Sequence, residues 1–328
     1  DHDGYGEHDD GSPFDAEAVA EHFRRRLVAL LEHCASPEAG GYTPSDFPIA
    51  ALGQSELDRL FPGGRFPDGG AVEDLYPLSP TQNGMLFHTV LEPGGGHYVV
   101  QMGGELHGVD ASKGLDEERF LRAWQGVVDR HPALRSRFLW HDLERPLQAV
   151  VDEAPVPMTV LDWTSLDEAQ QAEELERYLE GDRRRGFDLS VTPQMRLTLM
   201  RKAPAVHQFL WSVHHITTDG WSLSAIFQEV MGFYQGLGQG ALPELPAPPR
   251  YREYVAWLEG QDLAAAGEFW RRQLADLEDP APLRFLEREV RDETAVGSAK
   301  VQRYLAEEPS EAVQAFARRN PLTAHTVI

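Results

Sequence analysis

Two adjacent histidines with an aspartate four residues further on, His214-His215-Ile216-Thr217-Thr218-Asp219-Gly220, are the residues of this 328-residue chain best suited to proton chemistry. An imidazole titrates near neutrality, so a positioned histidine can take a proton from an attacking nucleophile or hold one in place. Gly220 would let a substrate come close to the backbone. Trp221 and Ser222 follow directly and are candidates to line the substrate's path. A plainer reading competes: one histidine buried, the other exposed, and Asp219 capping the next helix. The residues alone leave both readings open.

Positioning such a pair is a task for the flanking elements. Residues 207–214 form an apolar run that reads as a strand, and 222–234 read as a helix. A histidine at a strand end stands at the sheet's edge, within a substrate's reach. The run 195–200, joined to 207–214 through 201–206, completes a hairpin. Strands are also expected over 97–106, 134–140, 147–151 and 300–305. Helical spacing covers 14–34, a short stretch from Ser55 to Phe61, 116–130, 251–258, 262–277 and 309–319. Ser165 and Glu168 match a capping box that would open a helix toward Arg183. Residues 62–70 hold four glycines and two prolines and read as a linker, and 239–249 as a crossover. Interleaved strands and helices indicate an α/β or mixed α+β class.

Composition narrows the function. The net charge is −23, which argues against nucleic-acid or anionic-membrane partners. No apolar run approaches the ~20 residues of a membrane helix. Residues 1–10 are acidic and Gly-rich, without the basic start and apolar stretch of a secretory signal. Cys34 is the sole cysteine, so no disulfide forms within the chain, which suits a cytoplasmic location. Histidines outside the pair are scattered, His2 and His8 among them, and make no metal-ligand cluster.

The motif His214-His215 with Asp219-Gly220 is similar to the signature of the condensation domains of nonribosomal peptide synthetases, which share a fold with chloramphenicol acetyltransferase. Further stretches resemble that family in order and spacing. They are residues 76–82 (YPLSPTQ) with 84–88 (GMLFH), 130–138 (RHPALRSRF), and 185–189 (RGFDL) with Pro193 and Arg196. Tyr251, Tyr254 and Trp257, then Phe269 and Trp270, also fit. The resemblance runs from about Val72 to the end. It implies an α+β sandwich with one chloramphenicol acetyltransferase-like lobe and the beginning of a second. It implies amide-bond formation between two carrier-bound acyl groups, with His215 as the active residue. His214, Asp219 and Gly220 would then be structural, and Asp219 would pair with an arginine, for which Arg135 is the candidate. The chain would bind no cofactor of its own; phosphopantetheine arms would come from upstream donor and downstream acceptor carrier domains.

Asp219-Gly220-Trp221-Ser222 resembles amide-forming members rather than epimerization domains, and both histidines are kept where heterocyclization domains carry aspartates. Residues 80–88 resemble domains that take a donor ending in a D-residue. Residues 33–48 resemble the tail of an epimerization domain, so epimerization and adenylation neighbours are expected. The implied organisation is an acidic tail over 1–13, the tail of a preceding epimerization-type domain plus linker over 14–70, a first lobe over 71–245, and a crossover with an incomplete second lobe over 246–328. A fragment with one tunnel wall incomplete is not expected to hold both arms. From another class, a non-catalytic module that recruits carrier proteins or a tailoring enzyme is the alternative, which an intact histidine motif disfavours.

Overall fold

The structure, a computed structural model, describes residues 15–36, 40–108, 114–277 and 304–327. The chain divides into two compact units, residues 1–278 and 279–328. The first unit carries α1 (Ala16–Cys34), α2 (Gln54–Leu60), β1 (Val72–Pro77), α3 (Pro80–Leu91), β2 (Val99–His107), α4 (Glu117–Arg130), β3 (Ser136–Leu139) and β4 (Leu147–Val151). It continues with β5 (Met158–Asp162), α5 (Glu168–Arg185), β6 (Met195–Ala203), β7 (Val206–His214), α6 (Gly220–Gln239), α7 (Tyr251–Glu259) and α8 (Leu263–Gln273). In the second unit, α9 (Glu307–Arg319) turns through Asn320 into the short α10 (Ala324–Val327), with Ala317 buried beneath the turn.

The strands make two sheets. One is three-stranded in the order β1-β4-β3; the other is four-stranded in the order β2-β7-β6-β5. All pairings are antiparallel except β5 with β6. Alternation along β7 explains how the larger sheet is covered. Phe209, Trp211 and Val213 face one side, where α4 lays down Phe120, Ala123, Trp124, Val127 and Val128, and α6 adds Ile226 and Val230. Leu210 faces the other side, with Met200 and Trp163, beneath Leu175, Tyr178 and Leu179 of α5. Trp124 is wholly buried, and truncating such a residue to Ala typically costs ~3–5 kcal/mol. β2 approaches β7 so closely at Gly103 that a Cβ there would run into the Phe209 carbonyl oxygen.

Most expected elements are present, with shifted ends. The β6–β7 hairpin turns at residues 204–205. α5 starts at Glu168, but its cap is Asp167 rather than Ser165. Asp167 accepts from the Gln170 N–H (2.9 Å) and the Gln170 side chain accepts from the Asp167 N–H (3.0 Å). The reciprocal bond wanted of Ser165 and Glu168 is made two residues later, because Ser165 lies in the turn that Leu166 closes onto Trp163. β1, α3 and β5 were not anticipated. The strand expected over 300–305 lies largely outside the described residues, and Tyr304 and Leu305 are not in a strand. Residues 62–70 do not separate two packed bodies. Phe47, Ala50, Leu57, Phe61 and Phe66 share the core of α4 and β7, and the Tyr42 hydroxyl accepts from the Val72 N–H (2.6 Å).

Candidate functional site

His214 is the last residue of β7, opposite Val99 of β2, and by alternation it faces the α5 side of the sheet with Ser212. It is 0% exposed. Its Nδ1 accepts from the Ile216 N–H (3.1 Å), so the ring proton lies on Nε2, which donates to Thr89 Oγ1 (3.0 Å). The Thr89 hydroxyl in turn donates to the Met85 carbonyl (2.8 Å). Burial, and secondarily the neighbouring His215, push the His214 pKa down to about 4. It is a neutral ring with both nitrogens engaged in hydrogen bonds.

His215 leaves the strand and turns the other way. Its N–H donates to the Tyr98 carbonyl (2.8 Å), which holds its backbone to the start of β2. Its Nδ1 lies 2.5 Å from the Thr218 carbonyl oxygen. A carbonyl can only accept, so Nδ1 carries a proton, and in the neutral ring the lone pair is on Nε2. Nε2 makes no hydrogen bond to a described residue. His215 lines a cavity of 570 Å³ together with Gln82, Gln148, Thr218, Asp219 and Tyr251. On the other side of the pair, Thr89 and Phe187 line a second cavity of 340 Å³, and the Phe187 ring meets His214 edge-on at 6.2 Å.

The expected Arg135–Asp219 pair is not formed. Arg135 donates to Glu73 (2.7 Å) and to the Val151 and Asp152 carbonyls (the latter at 3.4 Å), where it pins the irregular start of β1 against β4. Asp219 is the N-cap of α6. Its Oδ1 accepts from the Ser222 N–H (2.8 Å) and hydroxyl (2.6 Å), and these bonds hold its carboxyl below the usual carboxylate range. An aspartate satisfied by a helix N-terminus three residues away needs no distant arginine. Ser222 is thus partly spent on the cap, though it also lines the larger cavity. Gly220 opens α6, and a Cβ there would meet nothing within 4 Å, so the space beside it is free. Trp221 is 89% exposed and does not line that cavity.

A model of the condensation domain family matches residues 72–328. The chain belongs to the condensation domain family. It is 40% identical over 322 residues to a linear gramicidin synthase polypeptide of Brevibacillus parabrevis, covering 96% of this chain and 6% of that protein. It is 30% identical over 316 residues to bacitracin synthase 1 of Bacillus licheniformis, covering 95% of this chain and 6% of that protein. The chain therefore spans a small fraction of the length of these curated relatives. Among solved structures, the first condensation domain of the calcium-dependent antibiotic synthetase in complex with a substrate analogue matches with a TM-score of 0.56 at 23% identity. That match covers 65% of this chain and 51% of the other, and bears on the fold.

In this condensation domain several residues around the pair carried no role in the sequence reading. Gln82 lies inside the stretch 76–82, and no feature of the sequence places it at the histidine loop. Thr89 sits one residue beyond the stretch 84–88. Arg196 was noted as a fitting residue. Its partner proves to be buried Asp182 (2.5 Å), which also accepts from Ser212 (2.5 Å) and Gln101 (2.8 Å), two residues below His214 on the same face. Among the described residues no cluster of three or more His, Cys, Asp or Glu could hold a metal ion. Among them, too, no helix is long and apolar enough to cross a membrane.

Proposed function

We propose that this chain catalyses amide-bond formation between two acyl groups, each delivered as a thioester on the phosphopantetheine arm of a carrier domain. The acceptor's α-amine attacks the donor thioester carbon. A C–N bond forms, the C–S bond breaks, the donor arm leaves as a thiol, and the amine gives up a proton. The observation that carries the reading is the state of His215. Its Nδ1–H is committed to the Thr218 carbonyl, and its unshared Nε2 belongs to a residue on the wall of a 570 Å³ cavity. That nitrogen can accept the amine's proton or hold the amine in line. Holding two tethered reactants together contributes further, since effective molarities reach ~10⁵ M or more. The cavities on either side of the pair suit one arm each. His214 does not serve as the base, because both of its nitrogens are already used.

The donor is proposed to end in a D-residue, on the resemblance of residues 80–88 and, separately, of 33–48. Epimerization and adenylation domains are the proposed neighbours, in the cytoplasm. The test uses the natural polypeptide that carries this sequence, with its donor carrier loaded with D- or L-terminated peptide and its acceptor carrier with an amino acid. Amide product should form faster from the D-donor by tenfold or more, which corresponds to ~1.4 kcal/mol. His215→Ala should slow it by ~10²-fold without lowering the melting temperature. Undiminished product from His215→Ala would remove His215 from the chemistry. Equal rates for the two donors would end the stereochemical assignment alone.

A further inference from the structure

We propose that Gln82 is a positioning residue for His215, fixing the loop carbonyl that selects the productive tautomer of the imidazole. Its kinetic consequence rests on the acyl-transfer reading above. Gln82 lies in the first turn of α3, is buried, and uses both amide protons and its amide oxygen in hydrogen bonds. Its Oε1 accepts from the Ser79 N–H (3.0 Å). Its Nε2 donates to the Ile216 carbonyl (3.0 Å) and to Gln148 Oε1 (2.8 Å). Gln148, on β4, passes its own two protons to the Tyr76 hydroxyl (3.1 Å) and Ser136 Oγ (2.8 Å). Four amide protons thus meet four acceptors. Turning the Gln82 amide over would set its oxygen against the oxygens of Ile216 and Gln148, and its NH₂ against the Ser79 N–H, so only one orientation is satisfied.

The Ile216 carbonyl is one end of a peptide plane whose other end, the Thr217 N–H, donates to the His214 carbonyl (3.2 Å). One residue further on, the Thr218 carbonyl receives the His215 Nδ1 proton. Without the Gln82 donor, the oxygen of buried Ile216 loses its side-chain partner, a costly state that the plane relieves by turning. The Thr218 carbonyl then moves with it. His215 is freed to place its proton on Nε2, and that tautomer has no lone pair where the amine arrives. Gln82 thereby ties the histidine loop, at the end of the four-stranded sheet, to the three-stranded sheet through Gln148.

The test is Gln82→Met, which keeps length and apolar bulk and removes every bond of the amide. Two readouts are taken. Nitrogen NMR of the histidine-labelled chain, with the His215 signal assigned through His215→Ala, reports the tautomer directly. Steady-state amide formation in the natural polypeptide reports kcat and KM. The wild type should show His215 protonated on Nδ1 alone, and Gln82→Met a mixture of tautomers. kcat should fall by roughly tenfold or more, since displacements near 1 Å cost up to ~10²-fold, while KM for either carrier stays within about threefold. A single Nδ1–H tautomer in Gln82→Met, or an unchanged kcat, overturns the proposal and leaves Gln82 a packing residue. If the wild type makes no amide, the acyl-transfer reading fails and the tautomer measurement still decides the role of Gln82. Should Gln82→Met not fold, Gln82→Glu keeps the acceptor for the Ser79 N–H and removes both amide protons from the Ile216 carbonyl and Gln148. It should then give the same shift toward mixed tautomers, and a pure Nδ1–H signal there counts equally against the idea.

Discussion

At the residue scale, His214 and His215 are consecutive and yet occupy different solvents. His214 is sealed, and its pKa of about 4 against an ordinary 6.5 makes it a stability element rather than a reagent. The sign follows from proton uptake: between pH 6.5 and 4 the unfolded chain binds a proton that the folded chain refuses. The stability conferred by the neutral buried ring is complete above pH 6.5 and is lost as pH falls toward 4, on the order of 3 kcal/mol in all. Urea denaturation of the wild type and His214→Asn from pH 4 to 7 checks this. The gap between the two proteins should narrow as pH falls, and a constant gap would contradict a buried neutral imidazole. One histidine buried and the other exposed was one of two readings the sequence left open. Which hydrogen bond fixes each ring depended on Thr89 and on the Thr218 carbonyl, and main-chain oxygens have no signature in a sequence.

Elements decide what Asp219 and Asp182 are worth. Asp219 caps α6 at the surface, so Asp219→Ala should cost about 1 kcal/mol, the usual value of an N-cap. Asp182 on α5 is buried against Arg196 with Ser212 and Gln101 as further donors, and Asp182→Ala should cost ~3 kcal/mol by stranding a largely covered guanidinium. Chemical denaturation of both variants tests the ordering, and a larger loss from Asp219→Ala would reinstate a buried role for that carboxylate. An aspartate just before a helix made the cap one of two readings of Asp219. The preference for Arg135 as its partner came from motif position, which says nothing about Glu73 lying closer. Strong periodicity made α4 and the β6–β7 hairpin readable, whereas β1 and β5 were hidden. β5 is an edge strand with no buried residue, so no buried face shows up as alternation.

For the whole molecule, a net charge of −23 means that self-repulsion opposes compactness. Raising NaCl from about 10 to about 150 mM shortens the screening length from ~30 to ~8 Å, so the melting temperature should rise. A fall would show that attractive pairs such as Arg201 with Glu117 outweigh the repulsion. The two sheets and their covering helices were legible as a class, but the packing of residues 47–66 into the main core was not. A stretch with four glycines reads as a linker whether it joins two bodies or turns tightly within one. The hydrogen bonds around the histidine loop also carry a lesson for anyone splicing synthetases. Gln82 reaches Gln148 and Ile216, 66 and 134 positions away, and Tyr251 reaches Ser79 across 172. A chimera whose crossover point falls between Gln82 and Ile216 inherits the loop from one parent and Gln82 from the other, and one that falls between Ile216 and Tyr251 parts Tyr251 from Ser79. Fusion points placed outside residues 79–251 transfer the whole arrangement as one heritable block.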